Sequence, residues 1–211
     1  MKQLILLIII VLSNCTIIKN RHYEIPTTKV IKTDSIAPVA IEQKIFDEYI
    51  KCGERLLKDS LITISATEFA RAATIVAYCE SGFKTTIKSG DNSVGIHQIT
   101  ITNLLKLKTN PDKYTRMSIQ EQIVIHEKFL RKINHRFLKS IKNPIDFHIL
   151  NFAPSNYNKK VLSSTANKYL KALDKDKNQI ITDYDFVLFQ DMRISKCKNQ
   201  FIRDLYYTIK I

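Results

Sequence analysis

Three of the four glycines in this 211-residue chain stand in one short stretch, at Gly82, Gly90 and Gly95. Glycine enters left-handed backbone without steric cost and lets the chain pass close to another group. A sequence that holds so few, and gathers them, has one unusual loop among otherwise ordinary elements. Those elements read as helices. Ile45, Phe46, Tyr49, Ile50, Leu56 and Leu57 recur at three- and four-residue spacing from Glu42 onward. Ser65 and Glu68 form a capping box. The helix they open runs through Phe69, Ala73, Val76 and Ala77 to Gly82, a suitable terminator. Ser118 and Glu121 form a second box, ahead of Ile123, Ile125, His126, Phe129, Leu130 and Ile133. Asn143 followed by Pro144 starts another helix. The pattern also predicts helices over 164–173 and 183–193, and residues 201–211 fit helix or strand. Long strand-like alternation is missing, so the expected fold class is mainly α.

Apolar residues make up 45% of the chain and charged ones 25%, which suits a packed domain and excludes disorder as the main state. The formal net charge of +13 favours polyanionic partners such as nucleic acid, anionic lipid or cell-wall polymer. No compact Lys/Arg run interleaved with aromatics occurs, so nucleic acid is not an expected partner. The first residues, MKQLILLIIIVLSNC, hold an apolar run from Leu4 to Leu12, too short for a permanent span and fitting an export signal. Leu12-Ser13-Asn14-Cys15 resembles a bacterial lipobox with Asn14 in place of the usual small residue, so 1–15 is expected to be a lipoprotein signal with lipidation at Cys15. An ordinary signal peptide with an incidental Cys is the alternative. Residues 16–40, with Pro26 and Pro38, read as a tether to a membrane surface. Cys52, Cys79 and Cys197 lack metal-ligand spacing. One pair could form a disulfide outside the cytoplasm, and Cys79 reads as a small core residue.

Glu80 falls at the C-terminal end of an apolar helix. Partial burial and the negative end of the helix dipole both disfavour a carboxylate anion. A carboxyl group that keeps its proton can deliver it to the oxygen leaving a sugar. Beyond it, Gly95 can bring backbone close to a sugar ring, and Gln98 with the serine hydroxyls can bond sugar hydroxyls and N-acetyl groups.

This stretch resembles the catalytic motif of the soluble lytic transglycosylases and, more distantly, of the goose-type lysozymes. Glu80-Ser81, the aromatic Phe83, the loop Ser89, and Ser93-Val94-Gly95-Ile96-His97-Gln98 carry the match. His97 departs from the usual Met and is read as a loop or groove substitution. A second similarity lies at ILNFAPSNY, 149–157, where Asn151 and Pro154 stand in register with the family's Tyr-Asn-Ala-Gly-Pro segment. This version looks like one found in mobile-element and phage-like relatives. Leu150 stands where the family has a Tyr thought to orient the catalytic Glu, so Tyr157, Tyr78 or another group must do so here.

The resemblance covers roughly 60–175. It implies a lysozyme-like helical domain over 41–173 and cleavage between N-acetylmuramic acid and N-acetylglucosamine in peptidoglycan. Glu80 would be the single acid and base, the product a 1,6-anhydro sugar, and Ser89, Ser93, Gly95, Gln98 and Asn151 the substrate-binding residues. No cofactor is implied for catalysis. The expected setting is the bacterial cell envelope, with the chain lipid-anchored to a membrane and glycan strands as partner. Two rivals remain. Asp91 could supply the second carboxylate of a goose-type hydrolase, although an Asp in SGDNS more often shapes its own turn. A non-catalytic cell-wall-binding lipoprotein is the other.

DKDKNQIITDYD, 174–185, resembles an EF-hand loop. Asp174, Asp176, Asn178, the Ile180 carbonyl and Asp185 are the expected Ca²⁺ ligands, with Thr182 at position nine and Ile181 as the apolar eighth residue. Gln179 replaces the turn-making Gly, and Asp185 replaces Glu. A solvated acidic turn capping the next helix through Thr182 is the alternative. Residues 174–211 are thus expected to be a C-terminal extension braced by a structural calcium ion.

Overall fold

The computed structural model describes residues 41–133, 135–152, 163–164, 173–174 and 177–208, all within one packed unit, Ala37–Ile211. The expected lipid site at Cys15, the tether, Pro154, Tyr157 and Asp176 lie outside the described residues. The fold is mainly α. Helix α1, Ile41–Lys58, leads into α2, Ala66–Ser81. A loop and a two-residue hairpin follow, with β1 (Ser93–Val94) paired antiparallel to β2 (Ile99–Thr100) in the register Ser93 to Thr100. Two short helices, α3 (Ile101–Lys106) and α4 (Pro111–Thr115), precede the long α5, Ile119–Ile133. A 3-10 turn, His135–Ser140, connects to α6, Pro144–Phe152. Strands β3 (Ser163–Ser164) and β4 (Ile180–Ile181) form a second antiparallel pair. Helices α7, Asp183–Ser195, and α8, Gln200–Tyr207, end the described chain.

Helix α2 is the central helix of this unit. Phe69, Ala70, Ala72, Ala73, Thr74, Ile75, Val76, Ala77 and Cys79 are all buried, so the second half of the helix is enclosed on most of its circumference, with Tyr78 and Glu80 partly exposed. A helix apolar all round belongs inside, and its alanines let neighbours approach closely. α1, α6, α7 and α8 all pack against it. Its ends are fixed locally. The Ser65 hydroxyl accepts from the Glu68 N–H, and the Glu68 carboxylate accepts from the Ser65 N–H at 2.9 Å. At the far end Gly82 is left-handed (φ 60°), and its N–H donates to the Tyr78 carbonyl at 2.8 Å. The second capping box is also formed, with the Ser118 N–H donating to Glu121 at 2.8 Å.

One expectation changes, and one open choice is settled. Ser164 is a strand residue rather than the start of a helix over 164–173, because its backbone pairs with Ile180; residues 165–172 lie outside the described set. The tail from Phe201 is helical through Tyr207, its apolar Ile202, Leu205 and Tyr206 facing the core. Cys52, Cys79 and Cys197 are buried free thiols. Burial pushes the Cys52 and Cys79 thiols well above their ordinary range, which makes poor nucleophiles of them.

Candidate active site

Glu80 occupies the last turn of α2, its side chain 20% exposed. Oε1 is 2.6 Å from Nε2 of His148, which is almost fully buried on α6. Oε2 has no hydrogen bond among the described residues. Nδ1 of His148 is in turn 3.0 Å from Nε2 of Gln190 on α7. His148 is therefore the group that reaches Glu80. Leu150, two residues on, is buried in the core. Tyr78 packs edge-on against Phe83, ring centroids 5.7 Å apart.

The residue after the acid fastens the helix end to the loop. The buried Ser81 hydroxyl lies 3.0 Å from the carbonyls of both Ala77 and Ile96. Gln122 on α5 fastens the loop from the other side. Its Oε1 accepts from the Ile96 N–H at 3.0 Å, and its amide group donates to Thr85 O at 3.1 Å and Tyr114 O at 2.8 Å. This fully buried glutamine joins three segments and was not singled out from the sequence. It shares a face with Ile119, Ile123 and His126, so a polar residue inside an apolar helical stripe was the available signal.

The loop residues expected to bind sugar turn out to be bonded to one another. The Ser89 hydroxyl donates to Asp91 Oδ1, which also accepts from the Ser93 N–H at 3.0 Å. Burial pushes the Asp91 carboxyl up, but the bonds from Ser89 and Ser93 outweigh it and hold the group below its ordinary value. Asp91 thus shapes its own turn. Ser93 is buried in β1. Gln98, left-handed at φ 49°, donates its side-chain N–H to Gly95 O at 2.8 Å. Gly95 is needed for a different reason from the one expected. Its φ is 76°, and an added Cβ would lie 2.5 Å from both Gln122 Oε1 and Tyr114 Cε1, so what it clears is the side of the loop facing α4 and α5.

His97 is not a groove residue. It is fully buried, hydrogen-bonded through Nε2 to the Tyr49 hydroxyl, and stacked on His126 at a centroid distance of 3.4 Å. Asn151, half-buried on α6, donates to His97 O at 2.9 Å and accepts from His126 Nε2 at 3.3 Å. Its amide ties α6 to the loop and to α5.

In the expected calcium loop, Asp174 accepts from the N–H groups of Asn178 and Gln179, both at 3.0 Å, and Asn178 Oδ1 accepts from the Ile180 N–H at 2.8 Å. Gln179 is left-handed, φ 66°, where the pattern calls for glycine. The buried Asp185 accepts from the Thr182 N–H at 2.9 Å and caps α7. Among the described residues no group of three His, Cys, Asp or Glu side chains converges on a metal position. Among the same residues no helix is long and apolar enough to cross a membrane.

No protein-family model, curated protein or solved structure matches this chain.

Proposed function

We propose that this protein is a peptidoglycan lytic transglycosylase with a lysozyme-like helical domain, exported and lipid-anchored at Cys15 in a bacterial cell envelope. The observation that carries the reading is the state of Glu80. It is a mostly buried carboxyl at the end of a core helix, held through one oxygen by His148 and unbonded at the other. Such a group can give up a proton and take it back in place. Glu80 protonates the oxygen between N-acetylmuramic acid and N-acetylglucosamine as the bond to the muramic C1 breaks. The carboxylate then removes the proton of the muramic 6-hydroxyl, whose oxygen bonds to C1 and closes the 1,6-anhydro ring. Water is not consumed, and Glu80 ends protonated as it began. The commitment of Asp91 to Ser89 and Ser93 supports one working carboxylate rather than two.

Digestion of purified peptidoglycan with the full-length chain, followed by mass spectrometry of the muropeptides, tests this. Anhydro ends are expected. Reducing ends would instead mean a hydrolase of goose type, and glycan binding without products a non-catalytic wall-binding lipoprotein. Glu80→Gln should abolish release, and undiminished release would falsify the assignment of Glu80.

We also propose that 174–185 takes a structural Ca²⁺. The left-handed Gln179 supports this, since the loop turns at position six without its glycine. Asp174, Asn178 and the Ile180 carbonyl would be ligands, with Asp176 and Asp185 as the sequence pattern has them. Calcium should raise the melting midpoint by several degrees over chelator, and equal midpoints would remove the ion.

A further inference from the structure

We propose that His148 and Gln190 are positioning residues for Glu80. Gln190 on α7 fixes His148 in its Nε2–H tautomer, and His148 then holds Oε1 so that Oε2 is the oxygen that carries the proton to the glycan. The inference rests on the transglycosylase reading of Glu80 and deepens it.

The chain of donors can be assigned from one end. Nε2 of Gln190 is 3.2 Å from the carbonyl oxygen of Pro144. A carbonyl only accepts, so the amide must present its NH₂ there. A flipped amide would set two oxygens against each other. The second hydrogen of the same NH₂ points to His148 Nδ1, 3.0 Å away, which must therefore offer its lone pair. The ring proton then sits on Nε2 and is donated to Glu80 Oε1 at 2.6 Å.

Two further observations bear on this. His148 and Gln190 are buried, so protein groups rather than bulk solvent fix the ring, and Phe186 packs against it at a centroid distance of 4.9 Å. Gln190 Oε1 has no partner among the described residues. An unpaired buried acceptor costs stability, so packing alone gives no reason to place an amide here. The amide is used for its NH₂. This fills the role left open by Leu150, with a residue of the same helix and a partner from outside the stretch that carries the family resemblance.

The test uses the full-length chain with ¹⁵N-labelled histidine. The His148 signals should show a protonated Nε2 and an unprotonated Nδ1. Gln190→Glu supplies an acceptor at Nδ1 and should reverse that pattern. Its kcat on peptidoglycan should fall about 100-fold or more with KM little changed. Gln190→Met, which buries no charge, should lower kcat about 10-fold if Gln190→Glu does not fold. His148→Gln keeps a donor and should retain more kcat than His148→Phe at matched stability. A proton on Nδ1 in the unaltered protein, or folded Gln190 variants with unaltered kcat, would overturn the proposal. An unaltered protein that releases nothing from peptidoglycan overturns the catalytic reading and the positioning role with it. The ring signals would still decide whether Gln190 sets the tautomer.

Discussion

At the level of single residues, two glycines in the same region do different work. Gly82 is left-handed with nothing within 4 Å of an added Cβ, so Gly82→Ala meets only the dihedral penalty, about 1 kcal/mol. Gly95 carries the same penalty plus contacts at 2.5 Å with Gln122 and Tyr114, so Gly95→Ala should lose about 2–4 kcal/mol in urea unfolding. Equal losses would contradict the contact argument. The His97–His126 stack sets a pH response. Burial, with His126 beside it, holds His97 well below the ordinary imidazole value, and burial brings His126 down to about 3. The unfolded chain binds these protons near the ordinary value of 6.5, so between there and about 3 it holds more protons than the fold does. Stability is then fully present above that ordinary value and falls with pH below it, by up to about 1.4 kcal/mol per pH unit for each ring. A urea midpoint that stays flat from about pH 7 to about pH 4.5, above most carboxylate titration, would refute the neutral pair.

At the level of elements, α1 and α5 are joined by charge as well as by apolar packing. Glu127 accepts from Arg55 Nη2 at 2.6 Å and Arg131 Nε at 2.9 Å, and Arg131 reaches Asp59 at 2.6 Å. Burial pushes the Glu127 carboxyl up, and the two guanidiniums more than reverse it. Arg55 is about half exposed, so Glu127→Gln should lose about 1–3 kcal/mol in thermal or urea melts, less than a fully buried pair would. Elements were the most legible part of the chain. Ser65 with Glu68 and Ser118 with Glu121 are local signals whose bonds form within one turn, so reading them needed no tertiary knowledge. Of the candidate site, the sequence pointed to Glu80 and Ser81 but not to what holds them. His148 lies 68 residues from Glu80 and 42 from Gln190, and no local spacing encodes such a meeting. Gln122 was missed, and Asn151 was read as a sugar ligand, for a related reason. The Gln122 amide saturates backbone groups of distant segments, and that of Asn151 bonds the His97 carbonyl and the His126 ring; an amide reads the same in sequence whether it faces water, sugar or a protein group.

At the level of the whole molecule, the C-terminal segment is part of the fold rather than an appendage. Phe186, Ile194, Ile202, Leu205 and Tyr206 are core residues, and α7 and α8 both pack on α2. Burying each large apolar side chain contributes about 1.5–3 kcal/mol, against a net stability of about 5–15 kcal/mol for an entire domain. A chain ended at Asp174 should therefore show no cooperative thermal transition. Recovery of a truncated protein with the full-length midpoint would refute that. The boundary was expected there because the resemblance stops near it, and a resemblance marks a run of similar residues rather than the edge of a core. The three hydrogen bonds of Gln122 to Thr85, Ile96 and Tyr114 have a mechanical consequence. Together with the Ser81–Ile96 contact they clamp the loop at Thr85 and Ile96 between α2 and α5, which fixes where both of its arms leave the core. Under the proposed function, the ordering that glycan binding requires would fall on the flexible polymer rather than on these anchor points.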